Sequence, residues 1–99
     1  MTLIEWSNAV RNRDGYTCVF CGTTQRIEAH HIKPQCSHPD LKFNIDNGIS
    51  LCRLHHTMAH GKGLMVLRSN FKNYEEMIQE QRRFRIFYDT IMKRKDDLS

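Results

Sequence analysis

Residues 29–61 read AHHIKPQCSHPDLKFNIDNGISLCRLHHTMAHG, and four of their histidines indicate what the chain folds around. His56 and His60 are four residues apart, so a helix would place both imidazoles on one face, one turn apart. His30 and His31 are adjacent, so a strand would point them to opposite faces of a sheet. One histidine of this pair can therefore join His56 and His60 around a metal ion while its neighbour stays free beside that ion.

Three imidazoles leave open positions on a divalent cation, which is typical of catalytic rather than structural metal sites. A neutral histidine beside such a cation is suited to take a proton from water near pH 7. The histidines of this stretch therefore predict a metal-dependent hydrolytic site.

A second set of metal ligands is formed by two short sequences that are distant in the chain. Cys18-x-x-Cys21 is followed 31 residues after Cys21 by Cys52-x-x-His55. Two such pairs supply the four ligands of a closed, tetrahedral structural zinc site. The first pair alone would also fit a thiol redox protein. The second pair argues against that alternative, and we predict a structural Zn²⁺ held by these four side chains.

Size and composition limit the classes of function. A chain of 99 residues forms one domain, or one small domain with an appendage, and folds of this size often need a metal ion for stability. A net charge of +4 and a pI near 9.0 favour an anionic partner such as nucleic acid. No membrane-spanning run and no signal-peptide pattern occur in the sequence, so we expect a cytoplasmic protein with reduced thiols. Cys36 is then an unpaired thiol, and His38 a solvated loop residue.

Hydrophobic periodicity predicts a small α+β fold. Leu3 to Arg13 has helical spacing of apolar residues, with Thr2 and Glu5 as a capping box and Trp6 in the core. The sequence then predicts a strand, an ordered loop, a brief second strand and a helix that ends at a glycine-rich turn. The first three of these segments are residues 26–32, 35–47 and 49–51. The helix begins at Arg53, carries His56 and His60, and ends at the turn Gly61–Gly63.

The C-terminal third has a different character. Apolar residues repeat every three to four positions and predict a long amphipathic helix over residues 73–95, with Asn70 or Asn73 as its cap. We therefore divide the chain into residues 1–63, which contain both metal sites, and a helical extension over residues 64–99. The apolar stripe of this helix is suited to packing on the core or to forming a homodimer, and the sequence leaves both open.

Three segments of the chain resemble the HNH endonucleases, which have a ββα-metal fold. These segments are RDGYTCVFCG (13–22), IEAHHIKP (27–34) and DNGISLCRLHH (46–56), and His60 follows them. The resemblance extends from about Trp6 to Gly61 and agrees in residue type, order and spacing. It implies a ββα-metal core stapled by a structural zinc ion, with the N-terminal helix and the long C-terminal helix as additions. This family occurs in phages, mobile elements, restriction systems and bacteriocins.

The resemblance also implies roles for individual residues. His30 would bind the catalytic metal, His31 would act as the general base, and Asn47 would orient that base and brace the loop. His56 and His60 would be the metal ligands on the helix. The family usually has a cysteine where this chain has His55, so His55 and His56 could exchange roles, although the four-residue spacing of His56 and His60 favours the assignment given.

The implied reaction is hydrolysis of DNA to 5′-phosphate and 3′-hydroxyl ends. His31 Nε2 would take the proton from water, and Asn47 would fix the imidazole either through its Nδ1–H or through the local backbone. The implied cofactors are the structural Zn²⁺ and one catalytic divalent cation, which could be Mg²⁺, Mn²⁺, Ni²⁺, Co²⁺ or Zn²⁺. Double-stranded DNA is the expected partner, with single-stranded DNA as a further substrate. The alternative is a non-catalytic zinc module that binds DNA or protein, which would leave the three-histidine set unexplained.

Overall fold

The computed structural model describes residues 1–61 and 70–95, without the side chain of Lys95. Within these ranges a two-stranded antiparallel sheet lies among three α-helices. In chain order the elements are helix α1 (Leu3–Arg13), strand β1 (Ile27–His31), strand β2 (Gly48–Cys52), helix α2 (Arg53–His60) and helix α3 (Tyr74–Lys95). The small α+β class predicted from the sequence is confirmed for these residues.

Helix α1 begins and ends where its local sequence predicts. The Thr2 hydroxyl accepts a hydrogen bond from the Glu5 backbone N–H, and the Glu5 carboxylate accepts one from the Thr2 N–H. These reciprocal bonds satisfy backbone donors that have no partner inside the helix. Trp6 and Val10 are buried on the face that packs against the sheet, so the prediction that Trp6 belongs to the core is confirmed.

The end of α1 is linked to β2 by hydrogen bonds of Arg13 and Asp14. The Arg13 guanidinium donates to the carbonyl oxygens of Ile45 and Gly48 at 2.9 and 2.7 Å. The Asp14 carboxylate accepts from both Arg13 and the Ser50 backbone N–H. Arg13 is therefore a structural link between the helix and the sheet.

The two strands pair in a register that places His31 opposite Gly48 and His30 opposite Ile49. Strand β1 is one residue shorter at each end than predicted, and strand β2 is one residue longer at each end. Pairing explains both differences, because the register matches five residues of one strand to five of the other. All five residues of β2 are buried, since α1 covers one of its faces and the core cluster the other.

Gly48 is where α1 approaches the sheet most closely. A Cβ atom at this position would lie 2.5 Å from Val10 Cγ2 and 2.7 Å from Trp6 Cζ2. The backbone of Gly48 is extended, with φ −125°, so alanine would fit its conformation but not its surroundings.

We expect Gly48→Ala to reduce the free energy of unfolding by about 1–3 kcal/mol, because it overpacks the contact between α1 and β2. Urea denaturation of the variant and of the natural sequence measures this loss. The double variant with Val10→Ala is the control, since it removes one of the two clashing groups. The double variant should lose less stability than the two single changes added together, and strict additivity would contradict the steric explanation.

Helix α3 packs on the core formed by the sheet and α2. Met77, Phe84 and Tyr88 are buried in the same apolar cluster as Leu51 and Met58. The Asn73 side chain accepts from the Glu76 N–H, as an N-terminal cap does, and the helix begins one residue later than predicted. Tyr74, the first residue of the helix, is 63% exposed.

The predicted boundary between residues 63 and 64 lies outside the described residues, as do the last two residues of the predicted Gly61–Gly63 turn. Gly61 itself ends α2 in the left-handed conformation, with φ +66°. None of the described helices combines the length and the apolar character that crossing a membrane requires.

Candidate metal centres

Four side chains from distant parts of the chain meet beside α3. Cys18 and Cys21 come from the turn after α1, Cys52 ends β2, and His55 lies in the first turn of α2. Their ligand atoms all lie within 4.8 Å of one another. The Cys21 and Cys52 sulfurs are 3.9 Å apart, and His55 Nδ1 lies 3.2 Å from Cys52 Sγ and 3.9 Å from Cys18 Sγ.

These distances fit a tetrahedral zinc site. Zn–S bonds of about 2.3 Å at tetrahedral angles separate two sulfurs by about 3.8 Å, and a sulfur from a nitrogen by about 3.6 Å. The sulfur–sulfur distance is also far longer than the bond of about 2.05 Å in a disulfide. The four residues predicted to hold structural zinc are therefore brought together in an arrangement that could bind it.

His55 is oriented by a residue of α3. Its Nε2 lies 3.1 Å from Glu80 Oε1, and Glu80 also pairs with Arg83. Burial would lower the pKa of His55, but the Cys18 thiolate and the Glu80 carboxylate raise it above its ordinary value. A carboxylate that accepts from the outer nitrogen of a histidine fixes its tautomer and strengthens it as a metal ligand.

The thiols of this cluster influence one another. Hydrogen bonding from Cys52, helped by His55, outweighs burial and lowers the pKa of the Cys18 thiol to about 2. The resulting thiolate, together with burial, raises the pKa of Cys52. Cys36 is exposed and lies outside the cluster, as does His38, whose Nδ1 is 3.1 Å from Ser37 Oγ.

A second cluster joins β1 and α2. Ring nitrogens of His30, His56 and His60 lie within 4.8 Å of one another, and the Nε2 atoms of His56 and His60 are 3.0 Å apart. Metal–nitrogen bonds of about 2.1 Å separate neighbouring ligand atoms by about 3.0 to 3.4 Å. The donor set therefore fits a divalent ion with open coordination positions. His55 lies in the cysteine cluster and His56 in this one. This is the arrangement that the four-residue spacing of His56 and His60 favoured.

The surroundings of these imidazoles keep them suited to bind metal. Burial, followed by the nearby His56 and His60, lowers the pKa of His30 to about 3, so His30 is neutral at pH 7. His56 Nδ1–H donates to Glu28 Oε1 at 2.7 Å. This bond places the proton of His56 on Nδ1 and leaves the Nε2 lone pair for an ion. The contact of Glu28 with His56 was not predicted from the sequence, although Glu28 lies two residues before His30, on the same face of β1.

His31 is held by two contacts that sequence reasoning did not identify. Its ring stacks on Trp6 with centroids 3.8 Å apart and planes within 5°. Its Nε2–H donates to the Lys42 carbonyl oxygen at 2.9 Å. The Nε2 atom is thus occupied, and the predicted proton transfer through Nε2 is wrong for this geometry. The remaining lone pair is on Nδ1, which lies 3.4 Å from the Gln35 side-chain nitrogen.

Asn47 braces the loop between the strands. Its side chain accepts from the Lys33 N–H and donates to the carbonyl oxygens of Lys33 and Leu41. These partners are all backbone atoms, so of the two predicted routes from Asn47 to His31 the structure contains the one through the local backbone. Asn47 is 1% exposed, which makes each of these bonds costly to lose.

Tyr88 brings α3 to the three-histidine cluster. Its hydroxyl oxygen lies 2.5 Å from His30 Nε2, and the two residues are 58 positions apart in the sequence. Burial raises the pKa of Tyr88 to about 12, opposed by Arg85, so the hydroxyl keeps its proton at neutral pH. In the sequence Tyr88 was only one member of an apolar stripe.

A cleft of about 610 Å³ opens over this cluster. The cleft is lined by the three clustered histidines and by the separate His31. A substrate group in the cleft would therefore contact both the cluster and His31. Its walls also contain residues from α1, the loop and α3, including Trp6, Gln35 and Tyr88.

Comparison with known proteins identifies the family of the chain. The sequence model of the HNH endonucleases matches residues 18–68, just over half of the chain, and the match includes every residue of both metal clusters. No curated protein and no solved structure matches the chain. Membership in this family indicates a nuclease, and therefore a hydrolase, and the nucleases of this family act on DNA. The chain belongs to the HNH endonuclease family.

Proposed function

We propose that this protein is a metal-dependent DNA endonuclease that hydrolyses phosphodiester bonds to 5′-phosphate and 3′-hydroxyl ends. The observation that carries the proposal is the shared cleft, in which the histidine cluster for a divalent ion lies beside an oriented fourth histidine. Family membership supports the reaction class. The net charge of +4 favours an anionic polymer as substrate.

His31 is the general base in this proposal. The Lys42 carbonyl holds the proton of the imidazole on Nε2, and Trp6 fixes the plane of the ring. Nδ1 then takes a proton from a water molecule aligned with the bond between phosphorus and O3′. The water oxygen forms a bond to phosphorus, the bond to O3′ breaks, and O3′ gains a proton from solvent.

His30, His56 and His60 hold the catalytic divalent ion, which we leave among Mg²⁺, Mn²⁺, Ni²⁺, Co²⁺ and Zn²⁺. When bound, such an ion stabilises the negative charge that develops on the phosphate and on the leaving oxygen. Asn47 acts indirectly. Its side chain donates to backbone carbonyls of the loop, and this loop contains Lys42, whose carbonyl contacts His31. Cys18, Cys21, Cys52 and His55 hold structural Zn²⁺, which keeps β2 and α2 in place.

The proposal predicts that cleavage needs an added divalent ion. Zinc-loaded protein should nick supercoiled plasmid when Mg²⁺, Mn²⁺, Ni²⁺ or Co²⁺ is supplied, and brief EDTA treatment should stop the reaction until the ion is restored. Zinc content is measured in parallel to show that the structural site is retained. End-labelling should find phosphate at 5′ ends and hydroxyl at 3′ ends.

Binding of DNA with no cleavage in any of these metals would contradict the proposal and favour the alternative of a non-catalytic zinc module. The same assay with linear and single-stranded DNA measures which forms of DNA are cleaved. One site of this size cuts one strand in each encounter, so efficient double-strand breaks would favour a homodimer, for which α3 is the predicted contact.

A further inference from the structure

One face of α3 reaches both metal clusters. Glu80, Phe84 and Tyr88 are spaced by four residues, so they lie on one side of the helix. Glu80 contacts His55 of the cysteine cluster, and Tyr88 contacts His30 of the histidine cluster. Phe84, between them, is 1% exposed and stacks on His55.

The contact between Tyr88 and His30 determines which nitrogen of His30 can bind an ion. A neutral imidazole has one N–H and one lone pair, so it cannot donate and ligate through the same nitrogen. Nε2 lies 2.5 Å from the Tyr88 oxygen, so the tautomer that donates Nε2–H to this oxygen leaves Nδ1 for an ion. The same division of roles occurs in His56, where Nδ1 contacts Glu28 and Nε2 faces His60.

We propose that Tyr88 is a positioning residue of the catalytic metal site. Its hydroxyl oxygen accepts the Nε2–H of His30 and holds this imidazole in the tautomer that presents Nδ1 to the ion beside His56 and His60. This inference rests on the proposed function, because it assumes that these histidines bind the catalytic ion. It makes α3 part of the catalytic unit rather than an extension beside it.

Two features of the structure support a positioning role over simple packing. Tyr88 is 6% exposed, and its hydroxyl lies 2.5 Å from His30 Nε2, so this contact supplies a hydrogen-bond partner to the polar group of a buried residue. The Glu80 contact with His55 repeats the same device at the other cluster, from the same helix face. Hydrogen bonds to the outer nitrogen of a ligating histidine typically change metal affinity by about 10- to 100-fold.

The test is Tyr88→Phe, which removes the hydroxyl and keeps the ring in the core. Full-length protein with its structural zinc in place is titrated with Ni²⁺ in a calorimeter, and the dissociation constant is compared with that of the natural sequence. We expect Ni²⁺ binding to weaken by about 10- to 100-fold. DNA nicking should recover as the metal concentration is raised, because the defect lies in binding the ion. Tyr74→Phe is the matched control, since it removes a hydroxyl from the same helix at a residue that is 63% exposed.

Circular dichroism and zinc content show whether Tyr88→Phe folds normally, and a variant that has lost its fold is replaced by Tyr88→Met, which also lacks the hydroxyl. Unchanged Ni²⁺ affinity in the folded variant would overturn the inference and leave the proposed function standing. Tighter Ni²⁺ binding would also overturn it, because the hydroxyl would then compete with the ion for Nε2. Two results would contradict the proposed function itself. One is that the natural sequence binds no Ni²⁺ at a site other than the structural zinc site, and the other is that His30→Ala binds Ni²⁺ as tightly as the natural sequence.

Discussion

Replacing His31 with alanine is expected to slow DNA cleavage by about 10²- to 10⁴-fold, the range typical for loss of a general base. The imidazole is oriented for that task, with Nε2–H bonded to the Lys42 carbonyl and the ring stacked on Trp6. Removing it leaves the three clustered histidines unchanged, so metal binding and DNA affinity should be retained. Single-turnover nicking of supercoiled plasmid at saturating metal measures the loss in the chemical step.

His38→Ala is the matched control for this experiment. His38 lies in the loop that follows strand β1, outside both clusters, and its replacement should leave the rate unchanged. Because His31 also packs on Trp6, the His31→Ala protein needs a thermal unfolding curve and a Ni²⁺ titration beside the rate. A folded, metal-binding His31→Ala protein that cleaves DNA at the original rate would remove His31 from the mechanism.

The change from Nε2 to Nδ1 as the basic atom shows where sequence reasoning about the site ends. Residue types and their spacing pointed to the pair His30 and His31, and the family resemblance gave His31 as the base. The orientation of the His31 ring, however, depends on a backbone carbonyl at Lys42, eleven residues later. Every residue type has a backbone carbonyl, so the sequence contains no signal for this contact. Trp6, likewise, was recognisable as a core residue but not as the surface on which His31 stacks.

Local signals predicted the helices well because their causes are local. The capping box of Thr2 and Glu5 and the cap at Asn73 both act over three residues. Strand ends depended on the partner strand, so both were displaced by one residue. Tyr88 and Glu80 were missed for a stronger reason. Their partners lie 58 and 25 residues away, and an amphipathic helix that supports a metal site has the same periodicity as one that only packs.

Replacing Cys18 with serine is expected to unfold the domain or to strip its structural zinc. Cys18 is 1% exposed, and its sulfur lies among the other ligands of the cysteine cluster. Serine is a much weaker zinc ligand at neutral pH, because its hydroxyl does not ionise as a thiol does. Far-ultraviolet circular dichroism and zinc content by atomic emission measure the two parts of this expectation. Cys36→Ser is the matched control, because Cys36 is exposed and outside the cluster.

The size of this effect follows from comparing two free energies. Structural zinc sites bind their ion with about 10–16 kcal/mol at pH 7, whereas a whole domain of ordinary size is stable by about 5–15 kcal/mol. The zinc contribution is therefore as large as the entire stability of a domain of this kind. The cluster also fixes the end of β2 to the start of α2. Helix α2 carries His56 and His60, and β2 pairs with the strand that carries His30. Loss of zinc should consequently remove Ni²⁺ binding at the histidine cluster as well. A Cys18→Ser protein that stays folded, binds Ni²⁺ and cleaves DNA would show that the cysteine cluster has no structural role.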